Sequence, residues 1–182
     1  MDEPFPIAGK ISYRLKPKEI MIKTNRSQQR VRIEYTFDAP RDQVFEAWIN
    51  PDHLKNWYAP DGCTVFIKEC NPVEGGFFHY CITHPDHGGG WAIGEFLQLK
   101  RPEKIIMRVT MSDETGRPVD PKVLGMDPEW PQETLLTVTL EDLGGKTKMI
   151  LEEDVTEDFA RKTGAYTGWI QMFDRLNKTF SA

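Results

Sequence analysis

A chain of 182 residues with 39% apolar and 11% aromatic side chains can bury a sizeable core, which excludes a disordered polymer. No run of about 18 apolar residues occurs, so no membrane span is expected, and the opening MDEPFPIAGK lacks the apolar stretch of a secretory signal. The net charge of −5 is unevenly spread: residues 1–33 hold eight basic against three acidic side chains, a balance of +5 that leaves −10 for the rest. The basic side chains alternate with apolar ones and form no massed stripe, so nucleic acid is not an expected partner. Cys63, Cys70 and Cys81 are odd in number and widely spaced, which points to reduced thiols and a cytoplasmic location.

Residues 1–30 read as an N-terminal extension, an arm with an additional edge strand at Glu19–Lys23, and residues 31–182 as the folded domain. The spare arm is a candidate dimerisation element, which makes a homodimer an expected assembly. From Val31 the pattern sharpens: Val31, Ile33, Tyr35 and Phe37 alternate with Arg32, Glu34 and Thr36, the signature of a half-buried strand. Pro40 suits the start of a helix carrying Val44, Phe45, Trp48 and Ile49, which Asn50-Pro51 stops. A second short helix holds Leu54 and Trp57 before Pro60-Asp61-Gly62 turns the chain.

Strands follow at Thr64–Cys70 and Phe77–Thr83, with Asp86–Gly90 expected as a flexible hairpin loop. Trp91–Leu99 and Lys104–Met111 form the next pair. Residues 113–131 then break the rhythm with Gly116, Pro118, Pro121, Gly125, Pro128 and Pro131, a connection long enough to be functional or poorly ordered. Thr134–Leu140 and Lys146–Val155 make a last hairpin around Gly144-Gly145. The chain closes on one long helix from Thr156 to Phe180. Tyr166, Trp169, Phe173, Leu176 and Phe180 recur at steps of three and four on it, and Thr156 caps it ahead of Glu157 and Asp158. Gly164 and Gly168 interrupt this helix, marking either close packing on the sheet or a point of flexure.

Four segments in this order resemble the START-like (SRPBCC, helix-grip) superfamily. They are Phe37-Asp38-Ala39-Pro40 with Val44, Phe45, Ala47 and Trp48; Pro51–Trp57 with Pro60; Gly75-Gly76-Phe77-Phe78; and Gly168-Trp169 with Leu176. Within it, the subgroup similar to the C-terminal domain of the activator of the ninety-kilodalton heat-shock chaperone's ATPase fits best, over residues 31–180. The resemblance implies an α+β helix-grip fold. In that fold a curved antiparallel sheet of about six or seven strands wraps around a long C-terminal helix, with two short helices after the first strand.

It also implies an apolar cavity between sheet and helix. Following the family register, its lining would be Phe78, Tyr80, Ile82 and Phe96, then Met107, Val109 and Met111 as a polarizable wall. The helix would add Tyr166, Trp169, Ile170 and Phe173. The 113–131 segment departs from the family's compact pattern, and with Trp130 it is a candidate lid and lining element in its own right. Each of these side chains alone is better explained as ordinary core, and it is the set, through the resemblance, that points to a cavity. Trp48 and Trp57 read as anchors of the short helices.

Catalytic motifs are absent: there is no G-x-S-x-G elbow, Walker loop or dinucleotide fingerprint. His53, His79, His84 and His87 lack the grouped ligands of a zinc site, so neither metal nor cofactor is expected. His79 and Cys81 share a strand face that the register points outward. Strand alternation puts Glu153 on the face opposite Glu152 and Asp154, where one inward carboxylate would acquire a raised pKa. A solvated strand end is the plainer account of that cluster. The leading reading is non-enzymatic binding of a small apolar or amphipathic ligand. A co-chaperone-like module contacting a chaperone ATPase is the second, and a cyclase or hydrolase acting on an aromatic or polyketide-like substrate the third.

Overall fold

The computed structural model describes residues 29–86 and 88–180. The expected arm, its edge strand at Glu19–Lys23 and any homodimer built on it lie outside them, as does His87. Seven strands form one antiparallel sheet: β1 (Arg30–Phe37), β2 (Thr64–Cys70), β3 (Phe77–His84), β4 (Gly88–Lys100), β5 (Lys104–Ser112), β6 (Glu133–Asp142) and β7 (Thr147–Thr156). Their spatial order is β1-β7-β6-β5-β4-β3-β2, so every neighbour is a chain neighbour except β1, which crosses over to pair with β7. Register shifts in β2 between Ile67 and Glu69, and in β4 between Phe96 and Gln98, bend the ladder as bulges do and help curve the sheet.

Two short helices, α1 (Arg41–Ile49) and α2 (Pro51–Trp57), follow β1 as the resemblance implies. Asn50 joins them: its N–H closes α1 onto the Glu46 carbonyl, and its side chain accepts from the Asp52 N–H to cap α2. Trp57 Nε1 donates to the Ala47 carbonyl at 3.0 Å, and the Trp48 and Trp57 rings meet edge to face at 4.9 Å. Both tryptophans are fully buried, so they anchor the helices as expected.

The C-terminal stretch differs from a single helix. Gly164, at φ 82°, splits it into α3 (Glu157–Thr163) and α4 (Ala165–Thr179). Of the two readings of the glycines, Gly164 is therefore a break. At Gly168 a Cβ would meet Pro60 at 3.7 Å, an ordinary contact, so close packing on the sheet does not account for that glycine. Thr156 caps α3, its hydroxyl accepting from the Phe159 N–H. Trp169, Met172, Phe173 and Leu176 bury one face of α4 against the inner face of the sheet, where Phe37, Trp48, Phe78 and Phe96 complete the core. Arg175 fixes the helix lengthwise by donating to the carbonyls of Ala59 and Pro60.

The expected hairpin loop at Asp86–Gly90 is shorter than composition suggests. Gly88, Gly89 and Gly90 already pair with His84, Thr83 and Ile82 at the start of β4, leaving Pro85 and Asp86 in the turn. A side chain on Gly89 would lie 2.8 Å from Thr83 Oγ1 and 2.9 Å from Cys81 Sγ, so that glycine is closely packed, while Gly88 and Gly90 border open space. His79 and Cys81 do point to the outer face, yet both are buried. The turn after β5 covers His79, whose Nε2 lies 3.2 Å from the Asp113 carbonyl and whose ring rests on Trp91 at 4.8 Å.

Candidate ligand-binding site

Packing between the sheet and the α3–α4 junction stops short of filling the space, and a cavity of about 390 Å³ remains. The sheet supplies Tyr80 and Ile82 from β3, Val109 and Met111 from β5, Thr134 and Leu136 from β6, and Glu153 from β7. Tyr58 and Pro60 close one side after α2, and Met126 and Trp130 close another from the connection between β5 and β6. On the helical side Gly164, Ala165 and Gly168 carry little or no side chain, and Trp169 and Met172 border the space from α4. One turn further, Phe173 and Leu176 fill the equivalent space completely. The hollow is thus written into the small residues at the head of α4.

Connection 113–131 is ordered by its own turns. Asp113 and Asp127 each accept backbone N–H groups two residues on, and Asp120 caps a one-turn 3-10 helix at Pro121–Leu124. Its end is tied to α3 by Lys162, which pairs with Asp127 at 2.9 Å and Glu129 at 3.6 Å. The Trp130 ring meets Phe159 at 5.6 Å. This places Trp130 across the cavity's rim.

Polar groups are few and convergent. Glu153 faces inward and is only 8% exposed, and Trp169 Nε1 donates to its Oε2 at 3.2 Å. Burial pushes the Glu153 carboxyl above its ordinary range; the Trp169 bond opposes this, the neighbouring Asp154 charge adds to it, and a bond from Thr134 opposes it. Glu152 and Asp154 lie on the other face, as alternation requires: Glu152 pairs with Arg32 at 3.0 Å, and Asp154 accepts the Leu135 N–H. Burial also pushes the Tyr80 and Tyr58 phenols up, and the two hydroxyls are hydrogen-bond partners, their rings meeting edge to face at 5.3 Å.

Of the expected lining, Tyr80, Ile82, Val109, Met111, Trp130, Glu153 and Trp169 come together around the cavity. Phe78, Phe96, Met107 and Phe173 do not: each is fully buried in solid core, Phe78 stacked on Tyr80 at 4.7 Å and Phe173 against Trp169 at 5.7 Å. Tyr166 lies half-buried with the Arg161 guanidinium 3.8 Å over its ring, and Ile170 packs on the edge of the core. Tyr58, Thr134, Met126 and Met172 line the cavity without having been singled out in the sequence. Only Tyr58, adjacent to the Trp57 motif, carried a signal that could have found it.

A second hollow, about 510 Å³, lies between α1, α2 and the end of α4, but its walls are mostly exposed side chains such as Asp42, Gln43 and Asn56. Among the described residues no three His, Cys, Asp or Glu side chains gather to hold a metal ion, and no helix is long and apolar enough to cross a membrane.

Comparison with known proteins agrees with the architecture. A family model described as "Activator of Hsp90 ATPase homolog 1-like protein" matches residues 38–181. Among solved structures, a protein from Arthrobacter aurescens superposes with a TM-score of 0.69 at 23% identity, over 82% of this chain and 84% of that one. One from Chromobacterium violaceum gives 0.66 at 19%, covering 82% and 95%. An AHSA1 protein from Silicibacter pomeroyi gives 0.63 at 15%, covering 83% and 96%. At these identities the likeness is one of fold. No curated protein sequence matches the chain.

Proposed function

The chain belongs to the family of Activator of Hsp90 ATPase homolog 1-like proteins, within the START-like superfamily, and on that premise we propose that it binds a small apolar or amphipathic molecule between sheet and α4 without turning it over. The observation that carries this reading is the 390 Å³ cavity, apolar in most of its walls and furnished with one convergent polar cluster. Each 100 Å² of apolar ligand surface moved from water into it contributes about 2.5 kcal/mol. Tyr80 and Glu153 then fix the polar end of the ligand, and the segment bearing Trp130 acts as its lid.

Native mass spectrometry of freshly purified protein, followed by denaturation and small-molecule analysis, tests this. The expected result is a retained molecule at one per chain. Protein that is empty, and stays empty when offered apolar probes, overturns it.

A second reading draws on the family's name and on exposed apolar side chains outside the cavity, among them Phe66 at 60% and Val73 at 52%. On that reading the chain docks on a chaperone ATPase. Capture of such an ATPase, abolished by changing Phe66 or Val73 and indifferent to Tyr80, would favour it over the cavity.

A further inference from the structure

We propose that the cavity takes a small organic monocation, an alkylammonium group bearing an apolar body, with Glu153 as its counter-charge. The inference rests on reading the cavity as a ligand site and names the class of ligand.

Three observations carry it. First, Glu153 is buried and has no cationic partner among the described residues: its hydrogen bonds come from neutral Trp169 and Thr134. Arg32 of the adjoining β1 and Lys148 of β7 itself serve other acids. Arg32 pairs with Glu34 and Glu152, and Lys148 pairs with Glu34 and Glu141. A buried carboxylate without a counter-charge is costly, and here it adjoins empty space.

Second, four aromatic side chains, Tyr58, Tyr80, Trp130 and Trp169, share that space with it. Aromatic rings present a negative face to cations, and a set of them with a nearby carboxylate is the chemistry that recognises quaternary ammonium groups. Third, the remaining walls are Ile82, Val109, Leu136 and the thioethers of Met111, Met126 and Met172, which suit an apolar body. Among the described residues no basic side chain lines the cavity, so none of them offers an anion a partner. One carboxylate among aromatics and thioethers is also not the oxygen-rich donor set of a divalent ion.

The test compares two probes of one shape, phenyltrimethylammonium and tert-butylbenzene, which differ by a positively charged nitrogen in place of a carbon. Binding is read by tryptophan fluorescence and calorimetry at mildly alkaline pH. Wild-type protein should prefer the cation by about tenfold or more, and Glu153→Gln should collapse that ratio towards unity while Glu153→Asp retains part of it. Equal or tighter binding of tert-butylbenzene by wild-type protein overturns the cation assignment and leaves the cavity reading standing. So does a preference unchanged in Glu153→Gln. Binding of neither probe to folded wild-type protein overturns both.

Discussion

Gly94 shows how one missing side chain shapes the core. Phe78, directly opposite on β3, lays its ring over Gly94 on β4, and a Cβ there would sit 2.3 Å from Phe78 Cε1. The ring cannot retreat, because it is fully buried and stacks on Tyr80 at 4.7 Å. Gly94→Ala should therefore destabilise the fold by about 1–3 kcal/mol, although alanine ordinarily suits a strand better than glycine. A denaturant midpoint equal to wild type would show that the ring has room. The same residues mark the limit of what alternation tells. Alternation puts Phe78, Tyr80 and Ile82 on one face, and the family register implied that this face is the inner one. Whether an inward side chain touches its opposite number or borders a void depends on residues far off in sequence. Gly94 lets Phe78 lie flat and fill space, whereas Gly164, Ala165 and Gly168 leave space above Tyr80 unfilled.

At the scale of the element, the break between α3 and α4 is the informative feature. The three-and-four spacing of Tyr166, Trp169, Phe173 and Leu176 reports which face of a helix is apolar. It does not report continuity, so the stretch from Thr156 read as one helix. Gly164 adopts φ 82° as the C-cap of α3, and nothing lies within 4 Å of a Cβ built there. The cost of Gly164→Ala is thus purely one of backbone conformation, about 1 kcal/mol after the gain from a stiffer unfolded chain. A melting experiment should find that modest loss; a stabilised variant would mean that the helix straightens through residue 164. Tyr166 falls out of the expected lining for the same reason. It sits in the first turn after the break, where Arg161 from the end of α3 covers its ring. Strand ends, by contrast, were legible to within a residue or two, apart from the start of β4 three residues ahead of the expected Trp91, because bounding turns such as Gly144-Gly145 carry their own chemistry.

Over the whole molecule, Glu153 ties global stability to pH with a definite sign. Its carboxyl titrates in the ordinary range when unfolded and above it when folded, because burial disfavours the charged form. The folded state holds the proton more tightly. Glu153's contribution is therefore complete below the ordinary carboxyl range and is lost as pH rises through its folded value. Other carboxyls held low, such as Asp113 and Asp127, act in the opposite sense in both proteins, so the difference between wild type and Glu153→Gln isolates the effect. Stability of wild type should fall relative to Glu153→Gln across that interval; a difference independent of pH would sink the assignment. The strand order has a consequence of another kind. Strands β2 to β7 can zip as consecutive hairpins while the ribosome is still at work, but β1 must wait for β7, more than a hundred residues later. Until β7 emerges, Val31, Ile33 and Phe37 have no strand beside them, and the apolar faces of α1 and α2 lack α4. A nascent chain of this topology closes its core only once β7 and α4 have emerged, so β1, α1 and α2 are left longest in need of shelter.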